Sequence, residues 1–403
     1  MESLFYRFNP WWESPYQPNF ISRETYLKNL LALRATKDII LITGLRRIGK
    51  TTLMKMVIHS LIKDYDIKPS HIFYISLDFY GLEHYSILQI VEEFLKIQGI
   101  STGQKTFLFL DEVAYKKDFG LQLKNLYDTF NVKIYASSSS ASVLKDEKAL
   151  LTGRERIIEV LPLTFQEFLK FRDISIKKAD NHLFEQTFLK YMEVGGMPEY
   201  VLTSDPEYIK QLIDDIIYKD IISRHNIKNE TTVRDFFRLL MERVGKQVSL
   251  NKISKILGIS VDTAKRFLGY FSASFLIYPV ERCGKLNERI KSPKKVYAGD
   301  VGIRNTVTGM RDLGAIFENL VFFAIKHKRP CYLLQNGIEI DFFTEDKWLI
   351  EAKFGQKLTE KQAKLLNSIE AKGRLVVDSL EKLEKLYELF HRIQAADPFF
   401  NKK

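Results

Sequence analysis

Cysteine is nearly absent from this 403-residue chain, which has only Cys283 and Cys331. Two cysteines far apart, in no metal-ligand pattern, argue against a disulfide framework and against a structural zinc site. No apolar run approaches the roughly 18 residues that a membrane-spanning helix needs, so no membrane partner is expected. The opening stretch MESLFYRFNPWWE mixes aromatics with charges and lacks the apolar core of a signal peptide. The cytoplasm is the expected address. Internal repeats, low-complexity tracts and long Gly/Ser linkers are missing as well.

What is present is ample core material: 45% hydrophobic residues, with 29 Phe and 19 Tyr. The length predicts two to four domains. Pro10, Pro15 and Pro18 among aromatics predict an extended N-terminal arm packed on a domain. From Ile39 to Val160, apolar runs alternate with amphipathic helices. The runs are IILIT (39–43), HIFYISL (71–77), TFLFL (106–110), VKIYAS (132–137) and RIIEV (156–160). Their unbroken apolar character predicts parallel strands buried on both faces. Residues 164–245 read as mostly helical, with Thr164 and Glu167 as a capping pair and VGGMPEY (194–200) as a sharp break. Boundaries are placed near 163, 246 and 301.

The segment GLRRIGKT (44–51) fits the spacing G-x-x-x-x-G-K-[ST]. Gly44 and Gly49 let backbone N–H groups turn inward around phosphates, and the following helix offers its positive end. Lys50 reaches the β- and γ-phosphates and Thr51 holds Mg²⁺, which makes ATP and Mg²⁺ the expected ligands. The second element is FLFLDEV (107–113), where Asp111 ends an apolar strand and can bind the Mg²⁺ shell. Glu112 can activate the attacking water. The next strand ends in YASSSSAS (135–142), in which Ser137 or Ser138 is a candidate γ-phosphate sensor.

Together these residues resemble the AAA+ and STAND-like branches of the P-loop ATPases. The chain also resembles, more closely, a group of mainly archaeal and bacterial ATPases through NPWW (9–12), GLRRIGKTT (44–52), FLDEV (109–113), LTGRERIIEVLPLTFQEFL (151–169) and GGMPEY (195–200). The likeness adds Arg46, Arg47 and Thr52 to the nucleotide-binding candidates. It also implies an arginine that contacts the γ-phosphate in cis or from a neighbouring subunit, for which Arg154 is the candidate. A homo-oligomer or a protein partner is compatible with that role.

The formal net charge is +11, and residues 246–300 hold eleven basic residues against four acidic ones. A basic block of this kind suits a polyanion. Within it, helices over 250–257 and 261–272, broken at Gly258 and capped at Ser260, have the proportions of a helix-turn-helix. The strand-like FLIYPVER (275–282) and KKVYAGD (294–300) flank a lysine-rich stretch placed as a wing. The segment therefore resembles a winged-helix domain, with DNA as the expected partner and Lys265, Arg266, Lys285, Arg289 and Lys294 as candidate contacts. A rigid interdomain lid is the competing role.

The C-terminal order helix, three strands, helix, strand over 314–378 resembles the PD-(D/E)XK nuclease superfamily. The likeness rests on Glu318, Asp341 and Glu351-Ala352-Lys353, and Ile340 stands where the motif has proline. It implies that Asp341 and Glu351 hold Mg²⁺, that Glu318 completes the metal shell and that Lys353 positions the water. Glu351 and Lys353, two apart, share one face of a strand. The competing reading is a nuclease fold that cuts nothing, with these groups merely ion-paired.

The expected architecture is α/β. A P-loop ATPase parallel sheet with the arm covers 1–163, a helical lid 164–245, a winged helix 246–300 and a C-terminal α/β restriction-endonuclease-like domain 301–403. The expected function is an ATP-binding and ATP-hydrolysing AAA+-type protein acting on DNA, with a metal-dependent nuclease domain as a candidate second activity. The alternative is a STAND-like signalling or scaffold ATPase whose C-terminal fold is inactive.

Overall fold

The five apolar runs become strands β1 (Ile39–Thr43), β2 (Ile72–Ser76), β3 (Thr106–Asp111), β4 (Val132–Ser138) and β5 (Glu155–Glu159). They are seen in a computed structural model that describes residues 1–141, 151–177 and 180–396. The last seven residues of the expected C-terminal domain, 397–403, lie outside the described residues. The strands form one parallel sheet in the order β2-β3-β4-β1-β5. β1, β3 and β4 are buried along their whole length, as expected. β5 is only half-buried, because as an edge strand it has a neighbour on one side alone.

Helices Lys50–Lys63, Ile87–Gln98 and Phe119–Thr129 return the chain between successive parallel strands. The middle one starts in a capping box made by Ser86 and Gln89. Parallel strands bring all their following loops to one edge of the sheet. With β4 lying between β1 and β3, the segments after these three strands meet there.

The N-terminal arm is not extended. Residues Glu2–Phe8 form a helix and Pro10–Trp12 a 3-10 turn, in which Pro10 sits at a position whose missing N–H costs nothing. The fully buried Asn9 uses its side chain as a strand partner for the sheet edge. Its amide donates to the Tyr74 carbonyl at 3.0 Å and its oxygen accepts from the Tyr74 N–H at 2.7 Å. The Trp11 and Trp12 indoles both donate to the Ile72 carbonyl, at 3.2 and 3.0 Å. NPWW thus covers the outer edge of β2.

The chain divides into two compact units, Met1–Leu161 with Ala273–Phe275, and Pro162–Ser272 with Leu276 onward. The segments expected as lid, winged helix and nuclease-like domain fall in the second, apart from Ala273–Phe275 of the expected winged helix. It opens with helices Phe165–Phe171, Asn181–Val194, Pro198–Thr203 and Pro206–Asp215, the last running on as a π-helix over Ile216–Ser223. At the VGGMPEY break, the buried Asp300 carboxylate accepts from the N–H groups of Gly196 (2.7 Å), Gly302 (2.8 Å) and Ile303 (3.1 Å). Gly195 has φ +78°, and a Cβ there would stand 2.3 Å from an Asp300 carboxylate oxygen. Glycine is required by both conformation and space.

Next come helices Glu230–Met241, Leu250–Leu257 and Val261–Ala273, with Gly258 at φ 63° closing the second. An antiparallel sheet of β6 (Gln247–Val248), β7 (Ile277–Val280) and β8 (Lys294–Ala298) accompanies them, with β8 in the centre. The lysine-rich stretch placed as a wing carries a short helix, Leu286–Lys291, rather than an open loop.

Helix Leu313–Ile325 then leads to β9 (Cys331–Gln335), β10 (Ile338–Phe343), β11 (Trp348–Ala352), helix Glu360–Ser368 and β12 (Gly373–Val377). These strands form a sheet in the order β12-β11-β10-β9. A further helix, Leu380–Ala396, was not foreseen.

One expectation is overturned within this unit: Cys283 and Cys331, 48 residues apart, are joined in a disulfide with a Cα separation of 5.1 Å. The cause is a backbone pairing between segments distant in sequence. The Tyr332 N–H donates to the Glu281 carbonyl at 3.0 Å and the Cys283 N–H to the Tyr332 carbonyl at 2.8 Å, which lays residues 281–283 alongside β9.

Replacing Asn9 by Ala leaves the buried N–H and C=O of Tyr74 without their partners. The expected loss is about 1–3 kcal/mol of unfolding free energy, measured by urea denaturation of the full chain. A loss below ~0.5 kcal/mol would contradict the strand-partner role of Asn9.

Candidate nucleotide site and carboxylate cluster

The loop after β1 and the helix after it carry the first constellation. Gly49, at φ 99°, caps the N-terminus of helix Lys50–Lys63. A Cβ on Gly44 would meet the Val160 carbonyl oxygen at 2.4 Å, so the loop passes too close to the neighbouring chain for a side chain. The buried Lys50 folds back over the loop, its ammonium donating to the Gly44 and Leu45 carbonyls at 3.1 Å each. It lies 4.0 Å from a Glu112 carboxylate oxygen. Arg46 is half-buried and Arg47 exposed, with φ 62°. Thr52 follows on the helix, half-buried.

Asp111, at the end of β3, is 2% exposed and is gripped by three hydroxyls. Thr51 donates to it at 2.5 Å and Tyr74 at 2.9 Å, and Ser137 donates to its other oxygen. Burial, and then the charge of Asp111, raises the Tyr74 phenol well above its ordinary range and keeps it a donor. Glu112 adopts a left-handed conformation, φ 53°, sparsely populated for such a residue. One of its carboxylate oxygens accepts from the Ser139 hydroxyl at 3.0 Å and the Ser139 N–H at 3.3 Å. The Glu112 N–H donates to the Ser137 hydroxyl at 3.0 Å.

The two candidate sensor serines therefore separate. Ser137 links Asp111 to Glu112, whereas the Ser138 hydroxyl donates to the Ser140 carbonyl at 3.3 Å. Tyr74 and Ser139 were missed by the sequence reading. Thr51 and Asp111 set hard oxygen donors side by side at a helix N-terminus, a donor set that suits Mg²⁺.

Arg154 requires a correction. Its carbonyl accepts from the N–H of Ile39, at the beginning of β1, while the phosphate loop follows the other end of that strand. Its guanidinium pairs with Asp128 at 3.3 Å. A five-residue strand spans roughly 16 Å, so of the two contacts left open for Arg154, the one in cis is out of reach.

In the second unit, Lys295 and Tyr297 project from one face of β8 into the acids expected as metal ligands. The Lys295 ammonium is 2.7 Å from Glu318, 2.7 Å from Glu339 and 2.9 Å from Asp341. The Tyr297 hydroxyl donates to Glu318 at 2.6 Å. Past the pair Phe342–Ile350, β10 and β11 bind each other through side chains. The Asp341 N–H donates to Glu351 at 3.0 Å, and the Ala352 N–H donates to Asp341 at 3.0 Å. Glu351 also accepts from the Gln362 amide at 2.7 Å, and Lys353 lies 3.1 Å from it.

Burial, then the charge of Asp341, pushes the Glu318 carboxyl up to about 8 and that of Glu351 up to about 7. Burial works against the Lys295 ammonium, yet Asp341, Glu318, Tyr297 and Glu339 together hold it well above its ordinary value. Glu318, Asp341, Glu351 and Lys353 are thus brought together, but around a lysine that the sequence reading assigned no role.

Among the candidate DNA contacts, Lys265 and Arg266 are exposed on helix Val261–Ala273, 3.5 Å from Asp262 and 3.3 Å from the Thr263 hydroxyl respectively. Arg289 and Lys294 both grip Glu281, at 2.6 and 2.7 Å. Lys285 is exposed and precedes the short helix.

Residues 36–169 match the family described as AAA domain. Over 346 residues the chain is 30% identical to the uncharacterized protein MJ1544 of Methanocaldococcus jannaschii, spanning 80% of this chain and 76% of that one. The chain belongs to the family of that protein. An uncharacterized protein of Haemophilus influenzae is 26% identical over 335 residues, 80% of each chain. Among solved structures, the Walker-type ATPase paby2304 of Pyrococcus abyssi aligns with a TM-score of 0.45 and 14% identity over 73% of this chain and 99% of that one.

The first unit of this family member thus carries an AAA domain of the P-loop ATPase kind, in which the phosphate loop, Asp111, Glu112 and the serines all lie. A second match, to a domain of unknown function (DUF8612), covers 185–314 and so includes Lys295 and Tyr297 but ends before Glu318.

Replacing Ser137 by Ala removes one hydroxyl from Asp111 and leaves the Thr51 contact intact. Magnesium-dependent ATP binding is expected to weaken about 10–100-fold, read as a rise in the Mg²⁺ concentration needed for half-maximal binding. An unchanged magnesium requirement would exclude Ser137 as a support of Asp111.

Proposed function

We propose that this protein hydrolyses ATP with Mg²⁺ at the AAA site and acts on DNA through its second unit. The observation that carries the hydrolytic part is the Asp111–Glu112 pair. Asp111 is tied to Thr51 of the phosphate loop, and Glu112 is held in a strained conformation by Ser139. In the proposed mechanism, backbone N–H groups of Gly44–Thr51 and the end of helix Lys50–Lys63 bind the phosphates. Lys50 leaves its loop carbonyls for the γ-phosphate. Thr51 and Asp111 would hold Mg²⁺, which when bound offsets charge developing on the phosphates. Glu112 orients the water and accepts its proton. Any phosphate contact by Arg154 belongs to a neighbouring copy.

DNA is supported by the helix pair Leu250–Leu257 and Val261–Ala273, closed at Gly258, beside β7 and β8. In a winged-helix reading the second helix enters the major groove with Lys265 and Arg266, while Lys285, Arg289 and Lys294 meet phosphates. A second reading has a specific observation in its favour. The lysine among the nuclease-type carboxylates favours a STAND-like ATPase whose C-terminal restriction-endonuclease-like fold cuts nothing. A homo-oligomer or protein partner belongs with that reading.

Two measurements test the proposal. Glu112→Gln is expected to bind ATP and turn it over at least ~100-fold more slowly, while Lys50→Ala loses binding. Normal turnover in Glu112→Gln would exclude Glu112 as the base. Duplex DNA affinity should fall steeply with salt, and Lys265→Ala should reduce the slope of log affinity against log salt by about one. A flat salt response would exclude DNA as the partner.

A further inference from the structure

The carboxylates expected to hold a metal ion are already occupied by protein donors. The Lys295 ammonium has three N–H donors and meets three acids, Glu318, Glu339 and Asp341, at 2.7–2.9 Å. Asp341 uses its other oxygen for the Ala352 N–H. Glu339 uses its other oxygen for the Gln247 amide, at 2.7 Å. Both Glu351 oxygens are engaged, by the Asp341 N–H and by the Gln362 amide. Among the described residues, no three His, Cys, Asp or Glu side chains are grouped as ligands for a metal ion.

Lys295 stands on the central strand of its sheet. It is 1% exposed, and β8 is hydrogen-bonded to β6 on one side and β7 on the other. Tyr297, on the same face, is fixed to Glu318. A dication brought among these acids would stand within hydrogen-bond reach of the ammonium, and two cations at that separation repel strongly in a buried site. Moving the lysine away instead would strand buried acids without a counter-charge.

We infer that Lys295 is the resident cation of this cluster, so that the C-terminal fold binds no divalent metal as built and gains a site when Lys295 is replaced by a neutral side chain. The residues implied by the nuclease resemblance therefore do not fit its metal. This deepens the second reading above and is independent of whether Glu112 supports ATP turnover, since the test contains no nucleotide.

The test is a calorimetric titration with Mn²⁺ alone on the full-length chain. It compares wild type, Lys295→Met and Lys295→Arg, each with and without Asp341→Asn. Manganese held near Thr51 and Asp111 is common to all six proteins and cancels. Wild type and Lys295→Arg are expected to show no binding that Asp341→Asn removes. Lys295→Met should gain one site per chain, lost again when Asp341→Asn is added. Manganese binding in wild type that Asp341→Asn abolishes would overturn the inference. So would a folded Lys295→Met chain that gains no site. Should Lys295→Met fail to fold, the wild-type and Asp341→Asn pair still decides, because it needs no change at Lys295.

Discussion

The phosphate-loop edge of the first unit depends on how one carboxylate is held. Asp111 takes hydroxyls from three elements that are distant in sequence: the loop-helix junction (Thr51), β2 (Tyr74) and the end of β4 (Ser137). The strand order makes this possible, because β4 lies between β1 and β3 and delivers its serines between the phosphate loop and the Asp-Glu pair. The grip extends further back. The backbone of Tyr74 is fixed by Asn9 and its hydroxyl by Asp111, so the N-terminal NPWW segment orients a group that bears on Asp111.

Much of this was legible in the sequence, for physical reasons. Strands buried on both faces must be continuously apolar, and that signal located all five, although β5 is only half-buried. The phosphate loop was legible because Gly44 and Gly49 meet constraints that few other residues satisfy. Tyr74 and Ser139 were not legible. The first looks like any aromatic in a core strand, and the second is one serine among several, separable only by the direction each hydroxyl takes. The cis option left open for Arg154 closes because sequence proximity to a sensor strand does not say at which end of the sheet a residue stands.

The second unit shows the limit more sharply. Lys294 and Lys295 are adjacent at the start of the strand-like KKVYAGD, beside the lysine-rich stretch placed as a wing. Strand alternation sends the first to Glu281 and the second into the acids. The alternation in KKVYA, with Lys295 and Tyr297 on one face, was the available clue. The disulfide was hidden for a different reason. Its cysteines are adjacent only because residues 281–283 run beside β9, a long-range pairing with no local signature.

The cover over β2 has a consequence beyond stability. A bare outer strand is a template on which another chain can extend the ladder, and proteins protect such edges to stay dispersed. Here the protection comes from side chains: Asn9 imitates a peptide group, and two indoles claim the carbonyl of Ile72. Because this cover imitates a strand without being one, it ends the ladder and offers no new backbone to continue it. The first dozen residues therefore close the outer edge of the ATPase unit's sheet as well as setting the aim of Tyr74.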